Sequence, residues 1–111
     1  MSYNGWSNYE TWATHLWLAN EEPTYKFCRL LACRCRESAP VANEVRSGIW
    51  SEQEYVRIRL AQSLRAHVEE QHPISSCASL YADLLNAALS DVDWTEIAEA
   101  FLEEDERSQS R

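Results

Sequence analysis

The sequence predicts an all-α fold, a single compact domain of about five helices, and three features of it carry that expectation. Two glycines and three prolines in 111 residues leave few of the turns a β architecture needs. Ala, Leu, Glu and Arg, which lose little on entering a helix, are plentiful. Three segments, Ser7-Asn8-Tyr9-Glu10, Ser51-Glu52-Gln53-Glu54 and Asp93-Trp94-Thr95-Glu96, have the capping-box pattern, each followed by apolar residues at spacings of three and four. Hydrophobic residues at 45% and aromatics at 11%, with five Trp and five Tyr, supply enough apolar surface to offset the entropy of ordering such a chain.

The first helix is expected to start near residue 8, with Ser7 or Asn8 as the cap and Glu10 reaching back to complete the box. Tyr9, Trp12, Ala13, Leu16 and Trp17 fall on one stripe, taken as the buried one, and Asn20 is placed to end the helix in a left-handed cap. Trp6 precedes the cap and is expected to fold back over the first turn as a hydrophobic staple. A second helix opens at Glu22-Pro23, where a missing amide costs nothing, and runs to about Arg36 before Ser38-Ala39-Pro40; its stripe is Phe27, Cys28, Leu31 and Cys35.

Residues 38–50, with Pro40 and Gly48, read as a connector with one helical turn, anchored by Val45, Ile49 and Trp50. The third and longest helix begins at the Ser51 box, carries Val56, Leu60, Leu64 and Val68, and stops at His72-Pro73. A fourth is expected from Ser75 to Leu89, burying Cys77, Leu80, Tyr81, Leu84, Leu85 and Ala88. In the fifth, opened by Asp93, the residues Trp94, Ile97, Ala98, Phe101 and Leu102 face one way and Glu96, Glu99, Glu103 and Glu104 another. The domain is drawn over residues 1–104, with 105–111 as a disordered polar tail.

Several chemistries find no support in the spacing. Cys33 and Cys35 lie about 200° apart around a helix, and no Cys-x-x-Cys or matching His pair accompanies them, so no metal is expected. Cys28 and Cys35, seven apart, read instead as small buried hydrophobes. His15 reads as a flank residue, and His67 and His72 as helix-end residues facing the carbonyl pole; no spacing proposes a catalytic triad. Neither glycine lies in a phosphate-cradling loop. The expectation is a non-enzyme with no cofactor and no catalytic residue. No run of about 18 apolar residues offers a membrane span. Met1-Ser2-Tyr3-Asn4-Gly5-Trp6 lacks the basic start and apolar stretch of a signal peptide. A cytoplasmic protein with free thiols follows as the expectation.

Charge is regional. Residues 73–111 hold Asp83, Asp91, Asp93, Glu96, Glu99, Glu103, Glu104, Asp105 and Glu106 against Arg107 and Arg111, which accounts for most of the net charge of −8. Lys26, Arg29, Arg34, Arg36, Arg57, Arg59 and Arg65 are interleaved with acids, and a field this negative disfavours direct binding of nucleic acid.

Asn4-Gly5-Trp6-Ser7-Asn8-Tyr9-Glu10-Thr11-Trp12 with Leu16-Trp17-Leu18-Ala19-Asn20, and later Val92-Asp93-Trp94-Thr95-Glu96-Ile97-Ala98-Glu99, resemble motifs of small proteins of phages, plasmids and their hosts. Such proteins occur alone and inside large mobile-element polyproteins. The resemblance implies origin in a mobile element and, for Trp6, Asn8, Glu10, Trp12, Trp17 and Trp94, a motif that marks a fold by joining the two chain ends. The alternative for those tryptophans is an exposed partner surface.

Origin, size and regional acidity together lead to an expected function: an inhibitor of a host defence effector, of anti-CRISPR or antirestriction type, acting in the host cytoplasm. Its acidic helical face, with Asp83, Asp91, Glu96, Glu99, Glu103, Glu104 and Asp105 as the partner-binding residues, would occupy a basic nucleic-acid-binding surface of a host protein or ribonucleoprotein. One alternative is a general phage or plasmid interaction or regulatory module, including a homodimer, whose acidity only keeps it soluble. The other, an enzyme or metal protein built on Cys and His, is what the spacings above disfavour.

Overall fold

The caps decide where helices begin. Six form in the computed structural model, which describes residues 3–71 and 78–109, without the side chains of residues 105 and 107 to 109. In order they are α1 (Tyr9–Asn20), α2 (Glu22–Ser38), α3 (Asn43–Arg46), α4 (Glu52–Glu70), α5 (Leu80–Ser90) and α6 (Trp94–Gln109), with a 3-10 turn at Ala39–Val41 between α2 and α3. The fold is all-α, and no strand occurs among the described residues. Five of these are the expected helices, and α3 is the single turn expected in the connector.

Ser51 forms the full reciprocal box with Glu54 and starts the longest helix, α4. Ser79 caps α5 by accepting from the Ala82 amide. Glu21, extended at φ −96°, separates α1 from α2, so Asn20 closes its helix without the left-handed conformation expected of it. Gly48 supplies a positive φ of 82° where the connector turns into the α4 cap. The expected stop at His72-Pro73 lies outside the described residues, as do Ser75 and Cys77, but the expected helix start near Ser75 is corrected: Ser79 is extended and caps α5, which begins at Leu80. At the other end α6 continues to Gln109, past the boundary expected at residue 104.

α2 is the central helix, packed against α1, α4 and α6, while α4 and α6 also pack on each other. Its buried stripe is Cys28, Ala32 and Cys35, continued by Ala39, all small side chains that let neighbouring helices approach closely. Against it lie Val56, Leu60 and Leu64 of α4 and Trp94, Ile97, Ala98 and Phe101 of α6. Burial of each larger side chain contributes about 1.5–3 kcal/mol. Val45 and Trp50 pack against this core from the connector, but Ile49, expected to join them, is exposed.

Two apolar stripes are corrected. In α1 the buried residues are Thr11 and Leu18, about half a turn around the helix from the expected stripe. Trp12 is half-buried, Leu16 and Tyr9 are exposed, and Trp17 is 68% exposed. In α5 only Ala82 is buried; Leu80, Tyr81 and Leu84 face solvent at 68%, 73% and 60% exposure. α5 has no extensive packing against any other helix among the described residues.

Candidate functional site

The N-terminal motif is built around a tight turn. Asn4 and Gly5 both have positive φ, 49° and 88°, the signature of a type I′ turn, and Tyr3 and Trp6 exchange both backbone hydrogen bonds across it. The turn sets Tyr3 against Tyr9 and Trp12, with ring centroids 5.2 and 4.9 Å away, and sends Trp6 over His15 at 4.6 Å. Trp6 therefore folds back over the second turn of α1 rather than the first. His15 also meets Phe101 at 5.3 Å, and burial pushes its pKa below the ordinary histidine value, opposed by the charge of Glu104.

The two motif-bearing segments are stitched together by hydrogen bonds that span more than eighty residues. Asn8 accepts from the Thr11 amide and hydroxyl and donates its own amide to the Asp91 carbonyl at 2.7 Å. Thr11, fully buried, accepts from the Asp93 amide at 2.8 Å, and the Ser7 amide donates to Glu96 at 3.0 Å. Because Asn8 is the cap, the third helical position is Thr11, and Glu10 lies one residue short of the box expected for it. At α6, Asp93 receives the Glu96 amide at 3.1 Å, but the return half of that box is opened: Glu96 serves Ser7 and Thr11 serves Asp93.

These contacts redistribute the expected acidic face. Glu96 and Glu104 are half-buried, and Glu104 accepts from the Tyr25 hydroxyl, which holds that phenol above its ordinary pKa. Glu99, Glu103 and Glu106 stay at the surface and, with Glu52, line a groove of about 500 Å³ between α2, α4 and α6. Two cations enter it: Arg57 lies 4.0 Å from Glu99, and Arg36 lies 3.3 Å from Glu106 and donates to the Leu102 carbonyl. Pairs this exposed are worth at most about 1 kcal/mol each. Asp83 and Asp91 are exposed beside the apolar face of α5 rather than in the groove, and the side chain of Asp105 is outside the described set. Glu106 and Glu52 are the members that sequence reasoning left out; Glu106 follows Glu99 and Glu103 at helical spacing, whereas Glu52 comes from α4 and only the tertiary packing brings it there.

Several of the basic residues are engaged one by one with local partners. Lys26 pairs with Glu22, Arg65 with Glu69, Arg59 with Gln62, and Arg29 lies over the Tyr25 ring. Trp17 lines a second groove with Pro23, Phe27 and His67, in which the last two rings meet tilted at 41° with centroids 4.5 Å apart.

Cys28, Cys33 and Cys35 are free thiols, the first and last buried and Cys33 exposed; Cys77 lies outside the described residues. Burial raises the Cys28 pKa to about 11 and shifts Cys35 upward too, against the pull of Arg59. Neither is primed as a nucleophile. Among the described residues no cluster of three His, Cys, Asp or Glu side chains could hold a metal ion, and no helix is long and apolar enough to cross a membrane.

A family model described as a family of unknown function, DUF7249, matches residues 1–60, more than half of the chain. The chain belongs to that family. No curated protein and no solved structure matches it. The matched stretch holds the turn, the Asn8 cap and the whole of α1 and α2, but the Asp91, Asp93 and Glu96 partners of the clasp lie beyond it.

Proposed function

We propose that this is a mobile-element protein that inhibits a host defence effector, of the anti-CRISPR or antirestriction type, by occupying a basic nucleic-acid-binding surface in the host cytoplasm. The observation that carries the reading is that residues 73–106 contain nine carboxylates and no Lys or Arg, and that Glu99, Glu103 and Glu106 of this run converge with Glu52 on one groove. A surface lined with Lys and Arg is steered towards such a region over distances longer than a contact, and steering raises the association rate. Arg36 and Arg57 pair with two of the carboxylates, Glu106 and Glu99, without neutralising the whole set. The binding group is thereby narrower than the full acidic helix: Glu96 and Glu104 maintain the fold, and Glu99, Glu103 and Glu106 meet the partner.

The test is a combined reversal, E99K/E103K/E106K, used with the parent as bait for host lysate. Melting should fall modestly, by about 1 kcal/mol for each of the two ion pairs that become like-charge neighbours, Arg36 with residue 106 and Arg57 with residue 99, and circular dichroism checks that the fold is kept. The parent should retain a nucleic-acid-binding host protein that competing nucleic acid or added salt releases, and the reversal should not. Equal retention of that protein by both baits defeats the proposal.

A second reading, a general interaction module of the element, is favoured by one different observation: the exposed apolar residues of α5.

A further inference from the structure

We infer that α5 is a docking face for an amphipathic helix whose apolar stripe is flanked by Lys and Arg. The inference rests on the reading that the chain works by binding protein, and it names the chemistry of a partner at a second surface.

α5 is apolar around more than half of its circumference, yet it turns only one arc, with Ala82 buried and Leu85 and Leu89 half-buried, towards the domain. The opposite arc carries Leu80, Tyr81, Leu84 and Ala87, all exposed, at the spacings that form one seam of a helix pair. Side chains of this size offer roughly 200 Å² when fully exposed, so the 68%, 73% and 60% exposure of Leu80, Tyr81 and Leu84 amounts to on the order of 400 Å². That is as large as the biggest apolar patch of an ordinary monomer, and about half of what one partner brings to a stable interface. Apolar burial alone is therefore too small, and the remainder must come from polar and charged surroundings.

Those surroundings select the partner. The only charged residue of α5 is Asp83, its C-cap is Asp91, and Asp93 follows two residues later, all three exposed, with no Lys or Arg from residue 73 to residue 106. A second copy of this chain, itself at −8, would bring Asp83, Asp91 and Asp93 against the same residues. Like charges across an interface oppose association, whereas Lys and Arg beside a Leu-type stripe complement both the seam and its rim. Ala87 and Ala88, at the C-terminal end of the seam, let a partner backbone come close there, while Leu80 and Tyr81 provide the large contacts at the other end.

The probe is a synthetic Leu/Lys peptide with its leucines on one helical stripe, compared with a peptide of the same composition with the leucines scattered round the helix. The parent should bind the striped peptide at least about tenfold more tightly than the scattered one, and less tightly as salt rises. L80Q/Y81Q/L84Q and the single L84Q keep helix-forming side chains at exposed positions, and circular dichroism confirms their fold. The triple variant should lose the preference for the striped peptide, and L84Q should lose part of it. The groove reversal E99K/E103K/E106K should keep the preference, whatever happens to effector capture, so the two proposals fail separately. The α5 site is overturned if the triple variant binds like the parent, if the parent shows no preference, or if the groove reversal abolishes it. It is equally overturned if light scattering finds the parent dimeric and the triple variant monomeric, since a second copy then covers the seam.

Discussion

Thr11 shows how one hydroxyl can hold two ends of a chain. It is fully buried, it donates to Asn8 at 2.6 Å and it accepts from the Asp93 amide at 2.8 Å, so both of its polar functions are met inside the protein. Thr11→Val keeps the volume but leaves the Asp93 amide without its acceptor, and should cost about 1–3 kcal/mol in urea unfolding. Thr11→Ser keeps the hydroxyl and loses one methyl group, for about 1 kcal/mol. A Val variant as stable as the parent would mean that the Thr11 hydroxyl's part of the clasp contributes nothing. The position is hard to read from sequence, because a threonine among tryptophans and tyrosines scores as the polar residue on an apolar helix. The Asp93-to-Glu96 box was legible as a helix start, but its second half is completed by Ser7 and Thr11 from the far end of the chain, and local spacing carries no trace of that exchange.

Elements were more legible in their limits than in their orientation. Ser51 and Glu54 form their box where the pattern placed it, Pro23 sits in the first turn of α2, and α6 buries Trp94, Ile97, Ala98 and Phe101 as its period required. α1 and α5 behave differently because each has more apolar surface than one neighbour can cover. In α1 an aromatic arc and an arc containing Thr11 and Leu18 compete, and the second is buried. Leu18→Ala should accordingly cost about 2–5 kcal/mol. Trp17→Ala, despite removing the larger side chain, should change stability by only about 0.5 kcal/mol or less in the same thermal or urea unfolding experiment. The reverse order would return the aromatic stripe to the core. In α5 the leftover arc ends up facing solvent, and there an apolar period marks a surface rather than an interior.

At the scale of the molecule, the family match and the folding unit do not coincide. Residues 1–60 end within α4 at Leu60, and they lack Ala61 and Leu64 as well as the α6 side chains that close the core against α2. A 1–60 fragment should therefore show little helix by circular dichroism and no cooperative melt, and adding a 61–111 fragment should restore helical signal; a cooperative melt of 1–60 alone would refute this. The sequence by itself determined the class of fold, the capped starts of α1, α4 and α6, the regional acidity and the burial of Cys28 and Cys35 in α2, because caps, periodicity and charge are local properties that neighbouring residues enforce. Only the tertiary structure decided which arc of α1 and of α5 is buried, that Glu96 and Glu104 are engaged while Glu99, Glu103 and Glu106 share a groove, and that the chain ends are clasped. Each of those outcomes depends on competition for a limited interior and on hydrogen-bond partners more than sixty residues away, and no local pattern encodes who wins it.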